Sequence, residues 1–241
     1  MIVNSLIIPC YNEEGNIDNL VRGCSNFLLF DENELILVNN GSIDNTKSKI
    51  EYHTAKNKKI KIVNILKNKG FGDGVIQGIK ASNGKIIIYT HADSETDPDD
   101  VIHGLKIAKK LKRKLFFIKG NRIDRRKNNW TYFEMVISSG LSVICSIFFG
   151  KKLFDLHAQP VIFNKDLTKY FDLGPKDFMF DIYVYLLALK YDYSVIRFPV
   201  NFNKSKRIYG KGSSDSINKK IIGIINHLSE MNNLKKNKYL K

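Results

Sequence analysis

An apolar run, Ile86-Ile87-Ile88-Tyr89, leads into Thr90-His91-Ala92-Asp93-Ser94-Glu95-Thr96-Asp97-Pro98. His91, Asp93 and Glu95 alternate along it. If the extended backbone continues through them, alternate side chains point the same way. An imidazole and two carboxylates then meet on one divalent ion. Oxygen ligands suit Mg²⁺ or Mn²⁺, and the imidazole moves the choice toward Mn²⁺. A second reading of the same residues needs no metal: Asp97 caps the helix opening at Pro98, and His91 and Asp93 are ordinary loop residues.

Positive charge is the other chemical signal. The chain has 241 residues with 39 Lys and Arg against 24 Asp and Glu, a net charge of +15. The excess is dispersed over Lys56–Lys69, Lys106–Lys119, Arg122–Lys127, Lys204–Lys211 and Lys235–Lys241. Such a spread suits a broad anionic surface or simple solubility better than a single groove. No recognised nucleic-acid module accompanies it, so nucleic acid is not expected as a partner. Phe133–Gly150 carries no charge after Glu134. It falls short of the roughly 20 apolar residues of a spanning helix and is interrupted by Ser138, Ser139, Gly140, Ser142 and Ser146. It reads as a buried helix or as one lying in a membrane interface. The basic flanks Arg125-Arg126-Lys127 and Lys151-Lys152, with Trp130, favour the interface. Three cysteines, Cys10, Cys24 and Cys145, lack metal spacing and predict free thiols in a reducing compartment. Ile2–Pro9 has no basic n-region and reads as a first strand, not a signal peptide.

The elements that must position these residues follow from periodicity. Strands are expected at Ser5–Ile8, Leu35–Val38, Lys61–Leu66, Lys85–Thr90 and Lys114–Lys119. Helices are expected near Glu14–Leu28, Asp44–Ala55, Gly74–Ala81 and Pro98–Leu111. This alternation predicts an α/β fold with a doubly wound, mostly parallel sheet. Such sheets bind ligands beyond the carboxyl ends of their strands, where this chain carries Pro9-Cys10-Tyr11-Asn12-Glu13, Asn39-Asn40-Gly41-Ser42, Asn68-Lys69-Gly70 and His91-Ala92-Asp93. The second half reads as a helix (Trp130–Phe149), a strand (Val161–Phe163), a helix (Phe178–Leu189), a strand (Val195–Val200), a glycine-rich basic loop and a helix near Ile217–Leu234. It forms a second lobe on the same sheet.

Several strings fall in the order and spacing of one family. His91-Ala92-Asp93-Ser94-Glu95 resembles the Asp-Ala-Asp-x-Gln metal motif of family 2 glycosyltransferases. Pro9-x-Tyr11-Asn12-Glu13-Glu14, Val38-Asn39-Asn40-Gly41-Ser42-x-Asp44-x-Thr46, Asn68-x-Gly70-x-Gly72 and Gly120-Asn121-Arg122 extend the likeness over roughly residues 4 to 215. The pattern is most similar to the dolichol-phosphate-mannose-synthase-like branch, which transfers a hexose to a polyprenyl phosphate.

The resemblance implies a GT-A fold with a catalytic domain over 1–214. Residues 1–122 would form the nucleotide-sugar half and 123–214 the acceptor half, followed by a C-terminal helix and basic tail over 215–241. It implies that Pro9, Tyr11, Glu13, Asn39, Asn40, Lys69, Gly70, Ala92 and Asp93 bind the nucleotide sugar. Asn39 and Asn40 stand where the family has two aspartates, His91 replaces the first Asp of the metal motif, and Glu95 replaces the Gln. A metal site of altered geometry is therefore expected on His91, Asp93 and Glu95. Arg122, Arg125, Arg126, Arg207 and Ser213 are implied for the acceptor phosphate, with Asp93, Asp181, Arg122 and Arg207 catalytic. Asp181 stands where a base is often found, whereas Asp44 is expected to cap the following helix. The usual Gly-Phe-Arg after Asp155 is Ala158-Gln159-Pro160 here.

The implied activity is inverting, dependent on Mg²⁺ or Mn²⁺, and moves a hexose from a nucleotide diphosphate to polyprenyl phosphate. It would work peripherally on the cytoplasmic face of an anionic membrane. The alternatives are transfer to a glycan hydroxyl, or a nucleotide-sugar-binding protein without turnover.

Overall fold

The computed structural model describes residues 1, 3–111, 115–203 and 228–241. Seven strands form one sheet: β1 (Asn4–Cys10), β2 (Asn33–Asn40), β3 (Ile60–Ile65), β4 (Ile86–Tyr89), β5 (Phe116–Ile123), β6 (Val161–Asn164) and β7 (Ser194–Asn201). Their order is β3-β2-β1-β4-β6-β5-β7. Pairing is parallel throughout, except that β6 runs antiparallel to both β4 and β5. The sheet is thus mostly parallel and doubly wound, as the alternation of strands and helices predicts.

Period-2 alternation divides the core. Leu6, Ile8, Leu35 and Leu37 face one side, where they meet α1 (Ile17–Gly23), α2 (Ser25–Leu28), α3 (Thr46–Lys56) and α5 (Asp99–Lys110). Ile7, Ile36 and Val38 face the other, against α4 (Phe71–Lys80) and α7 (Met179–Lys190). The helix expected over Glu14–Leu28 is shorter and interrupted at Cys24, which separates α1 from α2.

The helix α6 (Tyr132–Phe149) begins with a capping box, Thr131 with Glu134, and stops at Gly150, whose left-handed φ of 61° ends the helical path. Its only buried residues are Ser142 and Cys145. Tyr132, Phe133, Val136, Val143, Ile144 and Ile147 are exposed. At about 100° per residue, these six fall within an arc of roughly 120°. Among the described residues the helix is therefore exposed along this stripe, unlike the buried setting of the two expected. Residues 228–236 are helical, and Met231 and Leu234 pack into the core beside Cys145. Arg207, Ser213 and most of the helix expected at Ile217–Leu234 lie outside the described residues. All three cysteines are free and buried.

Candidate functional site

The carboxyl ends of β1 and β2 are laced together by short polar contacts. The Asn12 amide donates to Ser42 Oγ (3.1 Å), Glu13 N to Thr46 Oγ1 (2.8 Å) and Glu14 N to Asp44 Oδ2 (3.2 Å). Ile43 N returns a hydrogen bond to Asn12 Oδ1 at 3.0 Å. Asp44 also accepts from Thr46 N at 3.0 Å, from one residue before Asn45, which holds the N-cap position of α3 in place of the expected Asp44. Asn39 and Asn40 are buried: Asn39 Nδ2 bonds Asn64 Oδ1 (2.8 Å), and Asn40 Nδ2 bonds the Gly70 carbonyl (3.0 Å). They hold loops together, and Pro9 is buried beside them. Tyr11 stands at the rim with nearly half its surface exposed, and Lys69 is exposed nearby. Gly70 has φ of 114°, and a Cβ there would lie 2.4 Å from the Lys176 carbonyl oxygen. Its missing side chain lets the β3–α4 turn close against the loop before α7.

The segment after β4 departs from the expected geometry. Regular strand stops at Tyr89, residues 92–95 bend, and Ser94 has a left-handed φ of 63°. Alternation cannot pass through such a bend, so His91, Asp93 and Glu95 do not form the three-ligand set. Among the described residues, no three His, Cys, Asp or Glu side chains gather closely enough to hold an ion. Asp93 is half-buried and its Oδ1 accepts the Glu95 amide at 3.1 Å. Glu95 is buried, and its backbone pairs with Asn203. His91 packs against Phe71 (4.8 Å between centroids) and faces Phe178 (6.2 Å), while Phe71 and Phe178 stack at 5.3 Å. Burial holds the His91 pKa below the usual imidazole value despite the nearby Asp93 and Asp181 charges. Asp97 accepts Asp99 N at 3.0 Å from one residue before Pro98, which holds the N-cap position of α5.

The second lobe contributes buried charge. Asp155, with φ of 45°, accepts Arg122 N (2.8 Å) and Arg122 Nε (2.7 Å), and ion-pairs with the Arg122 Nη2 and with Arg125 Nη2 at 3.1 Å. Both guanidiniums reach Ser138 Oγ at 3.3 Å and lie over the Trp130 ring. Burial pushes the Asp155 pKa up, but the Arg122 charge and hydrogen bonds, with Arg125, outweigh it and leave the pKa lowered. Of the arginines expected to meet an acceptor phosphate, Arg122 and Arg125 are therefore already tied to a carboxylate, and Arg126 is exposed outside that cluster.

Asp181 opens α7 and is wholly buried. Tyr89 Oη donates to its Oδ1 at 2.8 Å, Gln159 Nε2 bonds both oxygens at 3.1 and 3.2 Å, and His157 Nδ1 lies 3.3 Å from Oδ2. Burial works to raise its pKa, but Lys119 and His157 prevail and lower it to about 2. A sealed carboxylate with so little affinity for a proton is not placed to serve as a base. The expectation for Asp181 is corrected on that ground: it orients its neighbours. Lys119 is buried in β5, its Nζ donates to the Ala158 carbonyl at 2.7 Å, and burial lowers its pKa to about 8. Sequence reasoning passed over Lys119, Tyr89, His157 and Gln159. The available signals were a lysine within the apolar run Phe116-Phe117-Ile118-Lys119 and a histidine and glutamine set among apolar residues.

Comparisons with known proteins agree with this layout. A sequence model of glycosyl transferase family 2 matches residues 5–171. A dolichol-phosphate mannosyltransferase of Pyrococcus furiosus is 26% identical, covering 93% of this chain and 62% of its own. A poly-beta-1,6-N-acetyl-D-glucosamine synthase of Staphylococcus epidermidis is 30% identical over 52% of this chain and 30% of its own. The chain thus spans less than two thirds of these curated relatives. A crystal structure of glucosyl-3-phosphoglycerate synthase from Mycobacterium tuberculosis, with Mn²⁺, UDP and glucosyl-3-phosphoglycerate, superposes with a TM-score of 0.61 at 15% identity. That match covers 96% of this chain and 76% of the synthase, and at such identity it speaks for the fold alone.

Proposed function

This chain belongs to glycosyl transferase family 2, and from that premise we propose that it moves a hexose from a nucleotide-diphosphate sugar to a polyprenyl phosphate, with inversion. The observation that supports this reading best is where the family match falls. It covers the carboxyl ends of the parallel strands β1, β2, β3 and β4, which are followed by Tyr11, Gly41, Gly70 and Asp93.

In this reading Tyr11 stacks on the base from its exposed rim position, while the buried Asn39 and Asn40 keep the two nucleotide loops in register. Asp93 is the protein's carboxylate for a divalent ion. One carboxylate is a poor cage, yet Mg²⁺ and ions like it are commonly held by one or two carboxylates with substrate phosphates. The residues present fit an ion shared with the donor diphosphate. Mg²⁺ or Mn²⁺, when bound, supplies positive charge against the leaving diphosphate. Arg122 and Arg125, steadied by Asp155, Ser138 and Trp130, present net positive charge toward the acceptor phosphate.

The exposed stripe of α6 supports peripheral attachment. It is 18 residues long with mean hydropathy 1.7, the one helix among the described residues long and apolar enough to cross a membrane. Exposed Arg126, Lys127, Lys151 and Lys152 flank it. An apolar face between cations suits an anionic leaflet, here the cytoplasmic one, with the helix lying in its plane.

The test is to incubate the protein with a panel of nucleotide sugars, a short polyprenyl phosphate and Mn²⁺ or Mg²⁺, and to measure nucleoside diphosphate and glycolipid. Metal-dependent formation of both is expected. Glycolipid absent under every donor would remove the polyprenyl-phosphate assignment.

A further inference from the structure

Alternation along β5 places Phe117 and Lys119 on the face of the sheet that α7 covers, where the Phe117 ring stacks on Tyr185. Lys119 stands opposite Val161 of β6 and Arg197 of β7, and it is fully buried. A lysine inside an apolar strand is costly unless its surroundings use its charge and its donors. Here they use both. Nζ donates to the Ala158 carbonyl at 2.7 Å, and the Lys119 charge leads those that keep the buried Asp181 ionised. Ala158 precedes Gln159, whose Nε2 bonds both Asp181 oxygens at 3.1 and 3.2 Å. Asp181 Oδ1 also accepts Tyr89 Oη at 2.8 Å. Tyr89 ends β4, and the chain that carries Asp93 leaves from it. One ammonium thus underlies contacts that join β5, the loop before β6, the start of α7 and the end of β4.

We propose that Lys119 is a positioning residue for sugar transfer. Its ammonium fixes Asp181 and the Ala158 carbonyl, and through Tyr89 it sets the segment that carries Asp93. The inference rests on the transferase reading. The groups facing Lys119 are Asp181 on α7, Arg197 on β7, Asp155 in the loop before β6, and Arg122 on its own strand. Asp181 is faced in addition by His157 and His91, and by Tyr89. Burial lowers the Lys119 pKa to about 8, with the two guanidiniums adding to the fall and the two carboxylates opposing it. Loss of that proton leaves an amine that still donates to Ala158 but no longer offsets Asp181. A buried carboxylate deprived of a counter-charge is unfavourable. The network then relaxes by admitting water, and Tyr89 and the chain after it lose their fixed place. A shift of about 1 Å at the reacting groups costs on the order of 10²-fold in rate. Stability follows a different course. Folding lowers the lysine's pKa to about 8, so above that pH the unfolded chain binds the proton better. Rising pH therefore does not unfold the chain on this group's account.

The experiment is a rate profile from about pH 6.5 to 9.5 on the full chain, for wild type, Lys119→Met and Asp181→Asn. It uses a productive nucleotide sugar, Mg²⁺ and a short polyprenyl phosphate, with the unfolding midpoint measured at each pH. Wild-type kcat should fall about tenfold per unit above the lysine's pKa while the unfolding midpoint holds. Lys119→Met should lower kcat about tenfold or more at neutral pH, with both KM values within threefold. Its profile should be flat, so that the wild-type curve falls onto it at the alkaline end. Asp181→Asn removes a charge that favours the protonated lysine, and should move the alkaline limb down by about one pH unit. With ¹³C at lysine Cε, one resonance should titrate near pH 8 and be missing from Lys119→Met. A wild type without an alkaline limb overturns the assignment, as does a limb that keeps its midpoint in both variants. So does a Lys119→Met kcat within twofold of wild type at neutral pH. These results leave the transferase reading intact. If Lys119→Met does not fold, the limb in Asp181→Asn decides alone, and an unmoved limb overturns the assignment. A wild type that releases no diphosphate from any donor overturns the transferase reading, and the role of Lys119 with it.

Discussion

The loops after β1 and β2 and the buried charges of the chain's second half are built on different physics. The loops after β1 and β2 are tied by hydrogen bonds without ion pairs, from backbone amides to Ser42, Thr46 and Asn12, to the Asp44 and Glu14 carboxylates, and from Asn39 to Asn64. The second half of the chain is organised around two buried carboxylates, Asp155 with Arg122 and Arg125, and Asp181 with Lys119 and His157. Single hydrogen bonds to backbone amides can be exchanged for others at small cost. Buried ion pairs hold fixed positions, because removing one partner strands a charge in a medium that solvates it poorly.

The contrast is easiest to break with truncations on each side. Asp155→Ala leaves two guanidiniums without their shared carboxylate and should cost about 3–5 kcal/mol in denaturant unfolding. Asn39→Ala removes a neutral contact and should cost about 1 kcal/mol. Equal costs would erase the distinction.

Acid should sharpen it next. The Asp181 carboxyl titrates at about 2 in the folded chain and near 3.9 when unfolded. The unfolded state therefore takes up the proton first as pH falls. The stabilisation is complete above about pH 5 and is lost progressively as pH drops toward 2, by about 2–3 kcal/mol. Asp181→Asn should flatten that limb in a series of unfolding curves.

Donor-side effects should be smaller and confined to binding. Tyr11→Ala should weaken UDP by about 1–2 kcal/mol in calorimetry, in line with base–aromatic stacking. Its unfolding midpoint should stay nearly unchanged, since Tyr11 is half exposed. Smallest of all, Lys152→Ala should reduce binding to vesicles containing phosphatidylserine by about 1 kcal/mol or less, without affecting neutral vesicles.

Much of the scaffold was legible in the sequence because apolar runs such as Leu35–Val38 and Ile86–Tyr89 end in polar and glycine residues, and that change of composition marks a strand's end. That Asp44 and Asp97 lie at helix starts was readable for the same local reason, although the N-cap positions fall one residue later, on Asn45 and Pro98. The metal triad was not, because period-2 reasoning assumes an extended chain and Ser94 turns it. The antiparallel entry of β6 was also invisible, since pairing direction depends on where the intervening α6 delivers the chain. The Tyr89–Asp181 contact joins residues 92 apart, and the Arg122–Asp155 pair joins residues 33 apart. No local pattern announces such partners. Lys119 looked like one more cation in a basic chain, and only the packing of α7 against the sheet turns it into the counter-charge of Asp181.

The central claim is that Asp93 and the donor diphosphate together, and neither alone, make the divalent-ion site. Mn²⁺ binding followed by electron paramagnetic resonance, with and without UDP, tests it most directly. The account predicts weak binding to the protein alone, at least tenfold tighter binding when UDP is present, and loss of that gain in Asp93→Ala. Mn²⁺ held equally tightly without nucleotide, or a UDP-dependent gain that survives Asp93→Ala, would contradict it.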